Sequence, residues 1–179
     1  MRIKVYHGTT EEAAERIAAE GFRLPRESGE WFEGRGVYFS SDPDRARVHG
    51  PVVLETEIDL DDFEELPMGY ALGTFDQFYE SRQEFGLTEE EAWKEYLEMA
   101  EELRLEAIAG GKKGWTRGEL GSGRPRAPGY EPGWMEVVVA DPDYARSMKV
   151  RRTDVVGLPK WRTVVMRRPV DVQRYGRRA

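Results

Sequence analysis

Polar and apolar residues alternate through Arg2-Ile3-Lys4-Val5-Tyr6, the two-residue period of a half-buried strand, and this run ends at His7-Gly8. Thr9 with Glu12 has the spacing of a capping box, so a helix is expected next, with Ala13, Ala14, Ile17 and Ala18 on one face and Gly21 as its left-handed cap. Residues 22–34 read as loop, with Trp31 and Phe32 in it. After Gly34-Arg35-Gly36 comes Val37-Tyr38-Phe39, a short buried strand. Ser41-Asp42-Pro43 then opens a helix through about His49, and residues 52–60 form a strand. The clearest helix runs from Thr88 to about Ile108. Thr88 and Glu91 make its capping box, Trp93, Tyr96, Leu97, Ala100 and Leu103 its apolar stripe, and Gly110-Gly111 its end. Residues 111–134, with seven Gly and three Pro, predict no regular structure. Trp134–Ala140 reads as a strand ended by Asp141-Pro142, with further strands at 146–152 and 161–167. No repeat is present, and the strand–helix–strand rhythm of parallel sheets is missing. The expected class is therefore α+β with antiparallel sheets, in one domain over residues 1–179.

Composition narrows the chemistry. The 179 residues include no Cys, which excludes disulfides, thiolate metal sites and cysteine nucleophiles, and only two His, which excludes a multi-histidine metal site. No metal site is expected. With 34% charged residues, 11% aromatic residues and a mean hydropathy of −0.69, the chain reads as a folded, well-solvated domain. No apolar run reaches signal-peptide or membrane-span length, so a cytoplasmic monomer without membrane contact is expected. The net charge of −7 is unevenly spread: residues 1–100 hold 10 Lys+Arg and 24 Asp+Glu, while residues 101–179 hold 17 and 10. Such segregation turns one part of a molecule toward polyanions, although a solvated surface is its commoner meaning.

Three separated motifs carry recognisable chemistry. Tyr6-His7-Gly8-Thr9 puts an imidazole beside a glycine whose backbone admits a flat amide. Gly36-Val37-Tyr38-Phe39-Ser40 offers an aromatic face for a cationic ring, and Trp134-Met135-Glu136-Val137-Val138-Val139 a carboxylate at a strand start. Each has a plain structural reading: His7 a satisfied strand-end residue, Tyr38 part of the core, Glu136 a solvated carboxylate. Their ordered combination resembles the His-Tyr-Glu ADP-ribosyltransferases, the diphtheria-toxin-like and poly(ADP-ribose)-polymerase-like group. The likeness covers about 60 residues, chiefly Val5 to His49 and the Glu136 strand.

That resemblance implies two small antiparallel sheets around an NAD cleft, a helical insertion at about 67–110 and a Gly-rich acceptor loop at about 111–134. It implies a mono-ADP-ribosyltransferase that uses NAD as substrate and hands ADP-ribose to a macromolecule. Glu136, His7 and Tyr38 would be catalytic; His7, Gly8, Thr9, Gly36, Tyr38, Ser40 and His49 would bind NAD. His7 would hold the ribose, the Gly8 backbone the nicotinamide amide, and Tyr38 the ring. His49 falls where many members have a second stacking tyrosine, and Ala46 where many have a serine, a role left to Ser40 or Ser41. In the acceptor loop, Lys112, Lys113, Arg117, Arg124 and Arg126 interleave with Trp115, Tyr130 and Trp134, and residues 144–179 add eleven Lys+Arg against two Asp. Cations among aromatics suit single-stranded nucleic acid, so DNA or RNA is weighed equally with protein as acceptor. An NAD glycohydrolase and a non-catalytic ADP-ribose- or nucleic-acid-binding module are the alternatives. A toxin with an antitoxin or immunity partner, a phage modifier and a defence protein all fit the resemblance.

Overall fold

The first strand outruns its alternation. Arg2–Thr9 (β1) continues through His7 and Gly8 because all eight residues pair with Val52–Asp59 (β3), from Arg2↔Asp59 to Thr9↔Val52. Thr9 is therefore a buried strand residue, and the cap of the next helix, Glu11–Glu20 (α1), is Thr10, whose hydroxyl accepts from the Ala13 amide. The expected Thr9–Glu12 box does not form, because the ladder claims Thr9; Thr10 caps the helix alone, and Ala13 three residues on has no side chain to reciprocate. The computed structural model describes residues 1–29, 34–66, 72–118 and 135–153; the strand expected at 161–167 and the segment beyond residue 153 lie outside them.

Val37–Ser40 (β2) and Pro43–Arg47 (α2) follow as expected, with Asp42 capping α2 through the Asp44 amide. A 3-10 turn at Leu60–Asp62 leads from β3 into Phe63–Glu65 (β4). Two helices occupy the expected helical insertion. Phe75–Gln83 (α3) is capped reciprocally by Thr74 and Gln77, and Glu89–Ala109 (α4) by Thr88 and Glu91. Gly114–Gly118 (β5) corrects the expectation of no regular structure over 111–134: this five-residue run is zipped between β4 and Met135–Val139 (β6), and Trp115 and Thr116 are buried there. Sheet neighbours on both sides outweigh the weak intrinsic preference of its glycines. Asp141-Pro142 ends β6 and also starts Pro142–Ser147 (α5), capped by Asp141, so the strand expected over 146–152 shrinks to Arg151–Arg152 (β7).

All seven strands enter one sheet in the order β4-β5-β6-β2-β1-β3-β7. This mixed α+β architecture corrects two expectations. There is one sheet where two were expected, and the β4–β5 pair is parallel, so the sheet is not wholly antiparallel. The halves β4-β5-β6-β2 and β1-β3-β7 are joined at the β1–β2 seam by one bridge, Tyr6↔Ser40, whereas β1 and β3 pair along their whole length.

One face of the sheet sends Val5, Val37, Phe39, Leu54, Ile58, Val137 and Val139 against Ala14, Phe22 and Ala145 under α1 and α5. The other sends Val138 and Trp115 against Ala107 of α4, beside a cluster of Phe75, Phe78, Trp93, Tyr96 and Ala100 between α3 and α4. Each of the large apolar side chains among these contributes about 1.5–3 kcal/mol of transfer free energy, enough to fix which face every strand residue takes. Among the described residues, no helix is long and apolar enough to cross a membrane.

Candidate functional site

His7, Tyr38 and Glu136 stand on three neighbouring strands, β1, β2 and β6. Ser40 is the pivot of their register: it pairs with Tyr6 on one side and Glu136 on the other. His7 and Glu136 are thus two strands apart, about 10 Å between backbones, with β2 between them. The same row continues to Arg117 opposite Glu136, and to Glu55 and Arg151 beyond Tyr6.

The histidine sits where the ladder opens. Beyond Tyr6↔Ser40 no further β1–β2 bridge forms, and there His7 Nδ1 lies 2.8 Å from the Tyr38 carbonyl oxygen. A carbonyl only accepts, so Nδ1–H donates and the neutral ring carries its lone pair on Nε2. Phe22 meets the imidazole edge-on at 5.1 Å and Phe39 at 5.5 Å. Burial among these rings pushes the His7 pKa below its ordinary value of 6.5, against the raising effect of the Tyr38 bond, and His49 adds a further lowering. The part-buried His7 is thereby a neutral imidazole at pH 7, an acceptor at Nε2.

The rings of His7 and Tyr38 do not share a face. His7 packs with the α1–α5 side, while Tyr38 packs against the α3–α4 side and donates its hydroxyl to the Gly34 carbonyl at 2.6 Å. Strand pleat puts Glu136 on the Tyr38 side, since Ser40 and Glu136 are paired and Tyr38 lies two residues from Ser40. What joins the imidazole to this side is the Tyr38 carbonyl.

Gly8 meets α2 directly. A Cβ built there would lie 1.6 Å from the Ala46 carbonyl oxygen, so the close approach that glycine allows is made by this helix. Ala46 is buried by the same contact. Ser40 Oγ accepts from the Asp42 amide at 3.0 Å, and Ser41 Oγ from the Met135 amide at 2.8 Å, so both serines brace the end of β2. A Cβ on Gly36 would lie 2.5 Å from Val138, which makes that glycine a packing requirement between β2 and β6. His49 is exposed just past α2.

The expected acceptor loop is partly spoken for. Lys112 donates to the Asp61 carbonyl at 3.0 Å, Lys113 pairs with Asp141 at 2.9 Å, and Trp115 is buried in the core. Arg124, Arg126, Tyr130 and Trp134 lie outside the described residues, as do Trp31 and Phe32.

Two features were not singled out from sequence: Arg117 as the direct cross-strand neighbour of Glu136, and a group of arginines around Phe22. Arg117 was expected only as one cation of the acceptor loop, because the strand that sets it opposite Glu136 has no local signal, and nothing local signals the arginine group either. Among the described residues no cluster of His, Cys, Asp and Glu has the makings of a metal site. The sequence matches no known family, and no curated protein is significantly similar to it.

Proposed function

We propose that the chain is an NAD-dependent mono-ADP-ribosyltransferase. What supports this reading is adjacency: the three motifs fall on consecutive strands, His7 and the Tyr38 carbonyl meet where the β1–β2 ladder opens, and Glu136 lies one strand further, on the face opposite the imidazole, so the dinucleotide would reach both through the opening. His7 offers a neutral Nε2 to a ribose hydroxyl. Glu136, two strands away, supplies the negative charge that a developing oxocarbenium ion at the anomeric carbon needs. The C–N bond to nicotinamide breaks with its electron pair going to the pyridinium nitrogen, and an acceptor oxygen or nitrogen attacks the opposite face, losing its proton.

A second reading is favoured by a specific contact. The Tyr38 hydroxyl is spent on Gly34 and its ring packs toward α4, an arrangement suited to a module that binds ADP-ribose without cleaving NAD. The two are separated by incubating purified chain with NAD labelled on the adenine side and a cell lysate. Label that becomes macromolecular, and is released by nuclease or by protease but not by both, supports the transferase and names its acceptor class. Label that stays on intact NAD supports the binding module, and label on free ADP-ribose a glycohydrolase.

A further inference from the structure

Four arginines from four separate stretches of the chain line a single cavity of about 370 Å³: Arg23 after α1, Arg35 before β2, Arg104 in α4 and Arg146 in α5. Phe22, Leu24 and Pro142 complete the wall. Such convergence is uncommon without a counter-charge, because like charges held together repel. Among the described residues the counter-charges are fewer than the arginines. Glu101 serves two of the arginines, accepting from Arg35 at 3.0 Å and from Arg104 at 2.7 and 2.8 Å. Glu20 pairs with Arg23 at 2.7 Å, with both side chains well exposed. Arg146 has no carboxylate partner among the described residues. Among the described residues these four positive charges face Glu20 and Glu101, and Asp141, which also acts on Arg104, is itself paired with Lys113.

A structural explanation covers only half of this. Arg35 also donates Nε to the Pro25 carbonyl at 2.9 Å, so the Arg35–Glu101–Arg104 group clips the loop after α1 to α4. That clip needs two arginines and accounts neither for Arg146 nor for Arg23, which is held only by its exposed pair with Glu20. It also leaves donors unused: Nη2 of Arg35 and Nη1 of Arg104 have no partner among the described residues, although these side chains are only 26% and 14% exposed. Unused, pre-positioned guanidinium N–H groups in a cavity with a surplus of about two positive charges match an oxyanion of that charge, and their planar forks suit phosphate oxygens. The volume fits a short diphosphate with part of a sugar, at the small end of ligand pockets. Phe22 forms part of the wall and also meets His7 edge-on, so the cavity lies one aromatic ring from the β1–β2 seam.

We propose that this cavity binds the diphosphate of a nucleotide, with Arg104 and Arg35 as the fixed donors and Arg146 and Arg23 as the outer ones. The inference does not depend on the nicotinamide bond being cut. Calorimetric titration of the full chain with ADP, inorganic pyrophosphate and adenosine tests it. ADP and pyrophosphate are expected to bind and adenosine to bind at least tenfold more weakly, with affinity falling as salt rises. Arg146→Glu, at an exposed position that leaves the Glu101 clip intact, is expected to weaken ADP at least tenfold, and Arg23→Glu to weaken it by a smaller factor. Unchanged circular dichroism shows that both variants fold. ADP binding that is absent, or equal in wild type and Arg146→Glu, overturns the proposal, and so does equal binding of adenosine. Nicotinamide release from NAD, measured in parallel, separates this from the transferase reading. Release with no effect of Arg146→Glu on ADP refutes only the cavity, whereas ADP binding with no release refutes only the transferase.

Discussion

Gly8→Ala isolates the contact that closes the seam against α2. A methyl group at Gly8 would stand 1.6 Å from the Ala46 carbonyl oxygen, and real Cβ contacts do not fall below 3.0 Å, so helix and strand must separate by at least 1.4 Å. Neither side yields easily. β1 is zipped to β3 on both flanks of Gly8. α2 is pinned at its start by the Asp42 cap and just past its end by Gly50, whose own Cβ would lie 2.3 Å from the Thr9 carbonyl. The cost falls at the upper end of overpacking penalties, about 3 kcal/mol. With a urea slope of about 2 kcal/mol/M for a domain of this size, the unfolding midpoint drops by about 1.5 M. Gly110→Ala is the control: Gly110 is in right-handed helical conformation and its nearest contact is 3.4 Å, so its midpoint stays level or rises by less than about 1 kcal/mol equivalent. Urea unfolding followed by tryptophan fluorescence reads both. A Gly8→Ala midpoint within about 0.3 M of wild type would show that α2 does not rest on this strand.

Tyr38→Phe removes the hydrogen bond to Gly34 and keeps the ring, so stability is expected to fall by about 1 kcal/mol while nicotinamide release, if Tyr38 acts through its ring, stays within a few-fold; an unchanged midpoint would remove the bond's structural role. Because burial depresses the His7 pKa, the unfolded chain takes up that proton more readily than the folded one, and the stability it protects is intact above pH 6.5 and lost as pH falls below it. His7→Gln should therefore flatten the decline in urea midpoint between pH 7.5 and 5.5; parallel profiles would contradict this assignment. Burial raises the Glu55 pKa but hydrogen bonds from Arg151 and Lys4 outweigh it and leave the carboxyl below its ordinary 4.5, so its contribution holds above that pH and disappears below it. Glu55→Gln is expected to cost about 1 kcal/mol at pH 7 and nothing near pH 2, and a uniform loss at both would refute the pairing.

The elements that carry the motifs were legible because their signals are local. The alternation of β1, the Val37–Phe39 run, the Glu136 strand and the Thr88 capping box each lie within a few residues, and each sits within a residue or two of its expected place. Asp141-Pro142 repeats the Asp42-Pro43 helix start, so α5 was legible too, although it was taken only as a strand end. β5 was hidden because its glycines speak for loop and only its neighbours make it a strand. The opening of the β1–β2 seam is a matter of register between segments more than 30 residues apart, and no local pattern encodes it. The same holds for the faces. Pleat parity within each strand was readable, but that His7 and Tyr38 take opposite sides follows from which cluster each strand buries. The arginine cavity gathers positions 23, 35, 104 and 146, which only folding brings together.

Nicotinamide release from NAD tests whether His7, Tyr38 and Glu136 act on one dinucleotide, as proposed. Chromatographic quantification with purified wild type and Glu136→Ala should show release by the wild type and a loss of roughly a hundred- to thousandfold in the variant, with NAD binding retained. No release by the folded wild-type chain, or equal release by the two proteins, would rule out the proposed transferase.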